Sequence, residues 1–600
     1  MKGLCGWFGH GADEQGSAGV QAMLAGATLR PEWPQRTADG GTIAGASVVE
    51  DNGSCLAVVG RPRLREGAEN ADHGLEILRA LRSQGREALA RIEGDFALAF
   101  WDSRSRRGLL AVDRIGIHQL VHGRVDRALV FASTLDLLTS HRGITRRLAP
   151  QGLFDYLFYH VSPGPDTVFE GLRRLPPGCC IVFDGDRAAE PAPYWTMRFD
   201  EDPTLPLDGL KSEFIDVLQS SVKRAADAPG SGAFLSGGTD SSTVSGMLQR
   251  VQDRPARTFS IGFDVAGYDE MSYARIAAKH FGCEHHEYYV TPDDVVDAVP
   301  RIAAWYDQPF GNASAIPTYY CAKVAKEAGI ARMLAGDGGD ELFGGNERYG
   351  KHYLLSLYGR VPAALRRGLL EPVSAMPFAG KVMPLRKLAS YIKQASPPMP
   401  ERYASYNLLM HLGNDNVFTP EFLASIDTDH SHRLLADAHA PFADASLINQ
   451  MQGIDLRFTL WDGDLPKVTR MCEMAGVDVA FPLLDDRVVA FSAKLASDLK
   501  LRRTTLRWFF KEALRDFLPQ QVITKQKHGF GLPVGAWLTS HAPLRDLAAD
   551  GIDLLRQRGI VRPTFIDDLM SNRLREHAAY FGTMVWVLMM LGLWLQSRRL

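Results

Sequence analysis

Cysteine is scarce in this chain and poorly placed for cross-linking. Seven occur in 600 residues, at positions 5, 55, 179, 180, 283, 321 and 472. No Cys-x-x-Cys pair stands among them, and an odd, dispersed set excludes a disulfide framework and a zinc site of that spacing. Buried or free thiols in a reducing compartment are expected, hence a cytoplasmic location. An excess of positive charge is missing too: 67 Lys and Arg stand against 70 Asp and Glu, a net charge of −3. No broad nucleic-acid footprint follows from that balance. The apolar tail Met584–Leu595 is shorter than the roughly 20 residues a membrane span needs; it reads as a buried core helix, so no span is expected. Gly6, His10 and Asp13 interrupt any signal-peptide run at the start. Internal repeats and low-complexity tracts are lacking as well.

What remains is a globular composition, 46% hydrophobic and 23% charged. At roughly 100–200 residues per domain, two to four domains are expected. Residues 1 to about 195 read as β-rich. Leu56–Val59, Phe96–Trp101, Gly108–Val112, Ala128–Ala132 and Cys180–Phe183 are short apolar runs between turn residues. Asp72–Gln84 has helical spacing. The charged, Pro-containing stretch Asp200–Leu207 reads as a linker. After Leu210, helical patterns alternate with the apolar runs Ala233–Leu235, Thr258–Phe263, Glu287–Val290 and Arg332–Ala335. That alternation predicts a parallel sheet with helices on both faces. From about Tyr349 the pattern is mostly helical.

Three segments carry chemistry. Phe234-Leu-Ser-Gly-Gly-Thr-Asp-Ser-Ser242 joins an apolar run to a helix start. Such a strand–glycine–helix layout points backbone N–H groups at an anion. No Lys follows the second Gly, which excludes the nucleotide loop of kinases and GTPases. The second segment is Leu334-Ala-Gly-Asp-Gly-Gly-Asp-Glu-Leu-Phe-Gly-Gly345. Its Asp337 and Asp340 stand in a Gly-rich turn, and Asp340 is a candidate ligand for a hard cation that bridges phosphates. The third is Thr524-Lys-Gln-Lys-His-Gly-Phe-Gly-Leu-Pro533, where a lysine beside Gly-x-Gly can swing over a phosphate. A plain turn, for the first two, and a solvated lysine, for the third, are the alternatives.

Together these segments resemble the asparagine synthetase family, in family order over nearly the whole chain. Ile92–Asp102, Asp113–His118, Phe259–Phe263, Asp307–Phe310, Ser314–Thr318, Lys467–Met471, Pro482–Asp485 and Lys527–Pro533 belong to the match. The resemblance implies a two-domain α/β protein. Residues 1–200 would form a glutaminase-like, Ntn-hydrolase-type αββα sandwich. Residues 208–600 would form an ATP-pyrophosphatase domain (adenine nucleotide alpha hydrolase-like) with a helical carboxy-terminal part. It also implies ATP and Mg2+ and a set of roles. Ser236, Gly237, Gly238, Asp240, Ser241, Ser242 and Gly336 would hold the pyrophosphate end of ATP, and Ile261 the adenosine. Asp240 and Asp340 would hold Mg2+. Asp337 would accept a proton, and Lys527 would steady the oxyanion and departing AMP.

The chain departs from the family in two places. A working glutaminase domain of this kind begins Met-Cys-Gly, and the freed Cys is the nucleophile. Here Cys5-Gly6 follows four residues, so Cys5 is terminal only if the chain is trimmed. The glutamine-gripping Asn-Gly-Glu reads Val59-Gly60-Arg61, the Arg-Leu-Ser-Ile segment reads Ala46-Ser-Val-Val49 without its Arg, and the acidic residue survives only as Glu93. Glutamine hydrolysis is expected to be lost. In the other half, Lys-x-Asp-Arg reads Lys467-Val-Thr-Arg470 and Gly-Val-Glu-Ala-Arg reads Gly476-Val-Asp-Val-Ala480. Changed acceptor specificity or drift in a packing segment both account for this. The expectation is a lasso peptide cyclase, an ATP-dependent ligase closing a macrolactam through an isopeptide bond. Its partners would be a precursor peptide and, with it, a leader peptidase and leader-binding protein. An asparagine synthetase-type amidotransferase and a β-lactam synthetase-like ring closure are the alternatives. The β-lactam group carries Tyr at the position of Asp337.

Overall fold

The computed structural model describes residues 2–9, 16–26, 32–67, 72–185, 187–228, 230–374, 383–405, 407–525 and 531–600. The first third forms two antiparallel sheets packed face to face. One runs, in spatial order, Arg173–Arg174, Val121–Val125, Ala128–Ala132, Leu4–Phe8, Gly41–Gly45, Gln35–Ala38. The other runs Arg187–Ala188, Cys179–Asp184, Arg107–Val112, Phe96–Asp102, Ser54–Gly60, Val48–Asp51. Alternation of side chains along each strand explains the layering. Leu4, Phe8, Ile43 and Phe131 meet Ala57, Ala97, Trp101 and Leu110 between the sheets. Cys5 and Trp7 point the other way, into a layer with Val20 and Met23 of helix Ser17–Gly26. Leu56, Leu98 and Phe100 are covered by Ile77, Leu78 and Leu81 of helix His73–Gln84, whose N-cap is Asp72. The result is four layers, αββα. Strand Leu4–Phe8, interrupted by Cys and Gly, and helix Pro150–Tyr159 carry no clear pattern in the sequence, but both are present.

The rest is built on a five-stranded parallel sheet. Its strands are β1 (Ser231–Phe234), β2 (Arg257–Gly262), β3 (Glu284–Tyr289), β4 (Arg332–Leu334) and β5 (Asp478–Ala480), in the order β3-β2-β1-β4-β5. Helices α1 (Thr239–Val251), α2 (Met271–Phe281), α3 (Pro292–Trp305), α4 (Ala315–Glu327) and α5 (Leu465–Ala475) connect them. The chain runs outward from β1 to β3, then returns to β4 on the other side of β1. Ligands bind where strand order reverses like this, beyond the carboxyl ends. Both Gly-rich segments lie there, one after β1 and one after β4.

The stretch Asp200–Leu207 is pinned rather than a free linker. Glu201 accepts hydrogen bonds from Ser446 Oγ (2.9 Å), Asn449 Nδ2 (2.5 Å) and the Ser497 N–H (2.7 Å). The apolar tail lies in helix α7 (Ala578–Ser597), which packs on α6 (Ala542–Gln557) and α3. By length and composition it could cross a bilayer, and 72% of its apolar window is buried in this fold.

Candidate active site

Gly237 turns the chain out of β1 at φ +71°, and a Cβ there would sit 2.5 Å from the Ala274 backbone N. Gly238 then caps α1 without a side chain, leaving first-turn N–H groups open to the cleft. The hydroxyls of Ser236 and Ser241 lie 3.0 Å apart, and Ser241 Oγ accepts the Ser236 N–H at 3.1 Å. Both line a cleft of about 1150 Å3, as do Gly238, Thr239 and Asp240. Ser242 does not join them. Its side chain is fully buried, its hydroxyl has no partner among the described residues, and its N–H goes to Gly238 O at 3.0 Å. The expected phosphate role of its hydroxyl is corrected accordingly: one residue further along α1, the side chain turns inward.

The second loop is glycine-rich because the two loops touch. A Cβ on Gly336 would lie 2.9 Å from Ser241 N, and one on Gly339 2.5 Å from the Asp240 carboxylate. Asp240 and Asp340 thereby converge on one guanidinium, that of Arg507, which donates to an oxygen of each and to Thr239 Oγ1 at 2.6 Å. Arg507 is buried and left-handed at φ +54°, between a two-strand hairpin (Leu501–Leu506) and helix Trp508–Ala513. Sequence reasoning missed it. The two carboxylates are met by a guanidinium, and no cluster of three His, Cys, Asp or Glu ligands exists among the described residues.

Asp337 stands beside this pair. Lys467 Nζ, from the first turn of α5, lies 3.4 Å from Asp337 Oδ1 and 2.7 Å from Asp464 Oδ1. Burial pushes the Asp337 carboxyl up to about 6; Lys467 opposes that, and the Asp464 charge adds to it. Burial disfavours charge on Lys467, but Asp464 and Asp337 outweigh it and keep the lysine cationic. Phe259, Ser260 and Ile261 line the same cleft from β2, with Gly336 and Glu341. Lys527 lies outside the described residues. Lys525, two positions earlier, reaches the loop after β1: its Nζ is 3.4 Å from Gly237 O and 2.9 Å from Glu270 Oε1.

In the amino-terminal domain, Cys5 is the second residue of strand Leu4–Phe8 and pairs with Ala132 on one edge and Ala44 on the other. Burial pushes its thiol up to about 12. Arg61 pairs with Asp95 at 3.3 Å and donates to Val479 O of β5 at 3.4 Å. Glu93 is engaged by Arg63 (3.3 Å) and Arg65 (2.9 Å). Of the altered segment Lys467–Arg470, Lys467 and Val468 line the large cleft, whereas Thr469 and Arg470 do not. Thr469 lines a separate chamber of about 320 Å3 between the domains. Asp478 of β5 pairs with Arg332 (3.1 Å) and Lys2 (3.2 Å). Gly476, Val477, Asp478 and Val479 line the same interdomain chamber.

Sequence comparison agrees with this geometry. The family model for asparagine synthase matches residues 213–596, and that for the glutamine amidotransferase domain matches residues 70–195. Asparagine synthetase (glutamine-hydrolyzing) 1 of Bacillus subtilis strain 168 is 25% identical over 538 residues, covering 88% of this chain and 81% of that protein. A protein of Mycobacterium tuberculosis H37Rv named "Putative asparagine synthetase (glutamine-hydrolyzing)" is 31% identical over 481 residues, 78% of this chain and 71% of that one. Among solved structures, an allosteric regulatory enzyme of purine biosynthesis aligns with 48% of the chain at a TM-score of 0.24 and 12% identity, too slight a likeness to argue from. With nearly two thirds of its length under one family model and the pyrophosphate loop, paired carboxylates and Asp337 gathered in one cleft, the chain belongs to the asparagine synthase family.

Proposed function

We propose that this protein is an ATP-dependent carbon–nitrogen ligase that adenylylates a side-chain carboxylate and joins it to an amine arriving on the same substrate. The product of that reading is the isopeptide-closed macrolactam of a lasso peptide, with a precursor peptide as substrate and a leader peptidase and leader-binding protein as partners. One observation carries the choice. Ser236, Gly238, Asp240, Ser241, Asp337 and Asp340 share one cleft, while Cys5 is buried in a strand paired on both edges and Arg61 stands at the place of the family's glutamine-gripping segment. Ammonia made next door is therefore not the expected nucleophile.

The chemistry follows from the residues. A free carboxylate resists attack by an amine, so it is first activated by ATP, a substrate consumed to AMP and pyrophosphate. The N–H groups at the start of α1, with Ser236, Ser241 and Lys525, receive the departing pyrophosphate. Asp240 and Asp340 would hold Mg2+, which when bound neutralises phosphate charge, and Arg507 supplies positive charge at the same place. Asp337 takes the proton that the attacking amine must lose, and Lys467 holds that carboxylate in place. Lys527 retains its proposed place at the oxyanion.

A second reading, an asparagine synthetase-type amidotransferase acting on a small carboxylate with ammonia or glutamine, is favoured by the names of the relatives. ATP–pyrophosphate exchange separates the two. Aspartate, glutamine, carboxyethyl amino acids and candidate precursor peptides are offered in turn, with and without a leader peptidase. Exchange driven by a peptide alone is the expected outcome; exchange driven by aspartate alone sinks the macrolactam reading.

A further inference from the structure

Just upstream of α5, residues Leu456–Asp464 wind as a π-helix. Such windings are rare, are mostly single turns, and cluster at functional sites; unfavourable backbone persists only where its surroundings hold it. Here both ends are clamped. At the start, buried Asp455 accepts hydrogen bonds from Tyr349 Oη (2.5 Å), Arg348 (3.0 Å), Thr459 Oγ1 (2.7 Å) and Tyr403 Oη. Near the end, the clamp comes from the amino-terminal domain. Asp462, fully buried, forms an ion pair with Arg174, itself only 3% exposed, and accepts the Gly164 N–H at 3.1 Å. Arg174 also donates to Ser162 O at 2.8 Å, and Arg457 to Gly164 O. Trp461 lies between the two guanidinium groups, 4.5 Å from Arg174 and 4.8 Å from Arg457. It fills a slot made by two glycines of the amino-terminal domain: a Cβ on Gly116 would sit 2.7 Å from the indole, and one on Gly164 would overlap it.

Two residues beyond Asp462, the same winding presents Asp464 to the nucleotide cleft, where it accepts Lys467 at 2.7 Å, and Lys467 reaches Asp337. Beside this contact the two domains are parted by the interdomain chamber, whose wall includes Asp462, Pro466 and Thr469. Among the many contacts between the domains, those made by Arg457, Phe458, Trp461 and Asp462 fall on this winding, immediately before the turn that carries Asp464 and Lys467.

We infer that the amino-terminal domain, its hydrolytic site closed, serves as a positioning element for the ligase: Arg174, through Asp462 and Trp461, sets the π-helical turn that aims Asp464 and Lys467 at Asp337. This rests on the reading of Asp337 as proton acceptor in the amine step. Arg174, Trp461 and Asp462 touch no substrate and act as positioning residues. Their effect falls on the second half-reaction, because the pyrophosphate loop and the Asp240–Asp340 pair hang on β1 and β4 instead.

The test uses two variants of the full chain. Arg174→Met combined with Asp462→Leu removes the ion pair as a unit, and Arg457, whose Nε stands 3.7 Å from Asp462, keeps the Gly164 carbonyl as its partner. Gly116→Ala presses on Trp461 without touching a charge. Each is assayed for thermal midpoint, for ATP–pyrophosphate exchange with the carboxylate that works best in the wild type, and for amide formation across pH. The expected result is exchange within a few-fold, amide formation down by about tenfold or more and a displaced acid limb in its pH profile, with a midpoint near native in the charge-pair variant and lower in Gly116→Ala, where φ +75° and the Trp461 contact both oppose an added Cβ. Amide formation and pH profile unchanged in both variants would overturn the proposal. So would exchange, amide formation and midpoint falling together, which marks a merely structural contact. Wild-type protein that exchanges with no carboxylate defeats the ligase reading first and takes this proposal with it.

Discussion

Burial and Lys467 act on Asp337 in opposite directions, and burial wins. With its carboxyl pushed up to about 6, the charged form that accepts a proton fills in as pH rises through that value and empties below it. Amide formation is therefore expected to show an acid limb near pH 6, a limb that ATP–pyrophosphate exchange should lack, since activation asks nothing of this residue. Asp337→Asn should cost on the order of 10²–10⁴-fold in amide formation, the usual contribution of a placed acid or base, while exchange continues. Equal loss of both would move Asp337 to the activation step. Most of this cleft was legible in the residues: Ser236, Asp240, Asp337 and Asp340 carry glycine-marked motifs, and all line it. Arg507 was not. A pair of facing carboxylates demands a counter-charge, but nothing local in Thr-Thr-Leu-Arg507 says which of 67 basic residues supplies it. Its place comes from a left-handed backbone and loops more than 160 residues away in sequence.

At the level of elements, legibility followed length and apolar density. Runs such as Phe96–Trp101 and Thr258–Phe263 are strands within a residue or two of where the pattern puts them. β5 escaped because it has three residues, one of them an aspartate, and is stabilised by pairing to β4 rather than by any periodicity. Helix pairing likewise hides in single residues. Gly592 of α7 lies against Gly551 of α6 so closely that a Cβ on Gly592 would overlap the Gly551 carbonyl. Alanine at 592 gains about 1 kcal/mol of helix propensity, but it must push two buried helices apart, and overpacking costs about 1–3 kcal/mol or more. The steric term is expected to dominate, so Gly592→Ala should lower the thermal midpoint; an unchanged or raised midpoint would mean that α6 and α7 separate freely.

Across the whole molecule, the two domains differ in how open their candidate sites are. The αββα half keeps its layers, its core and a cysteine at the family's nucleophile position, yet that thiol faces the helix layer, pushed up by burial to about 12. Native protein treated with iodoacetamide at mildly alkaline pH is expected to leave Cys5 unmodified, and incubation with glutamine to release no glutamate. Rapid labelling of Cys5, read by peptide mass mapping, would show the strand opens. In the chain as described, the Cys5 nitrogen belongs to the Leu4–Cys5 peptide. Leu4 is held there by the Ser133 hydroxyl (3.2 Å), its carbonyl accepts the Ser133 N–H (2.8 Å), and Lys2 is tethered to Asp478 across the domain boundary. For Cys5 to act as a terminal nucleophile, the chain would have to be cut after Leu4, inside a paired strand, and the Lys2–Asp478 contact across the domain boundary would be given up with the removed residues.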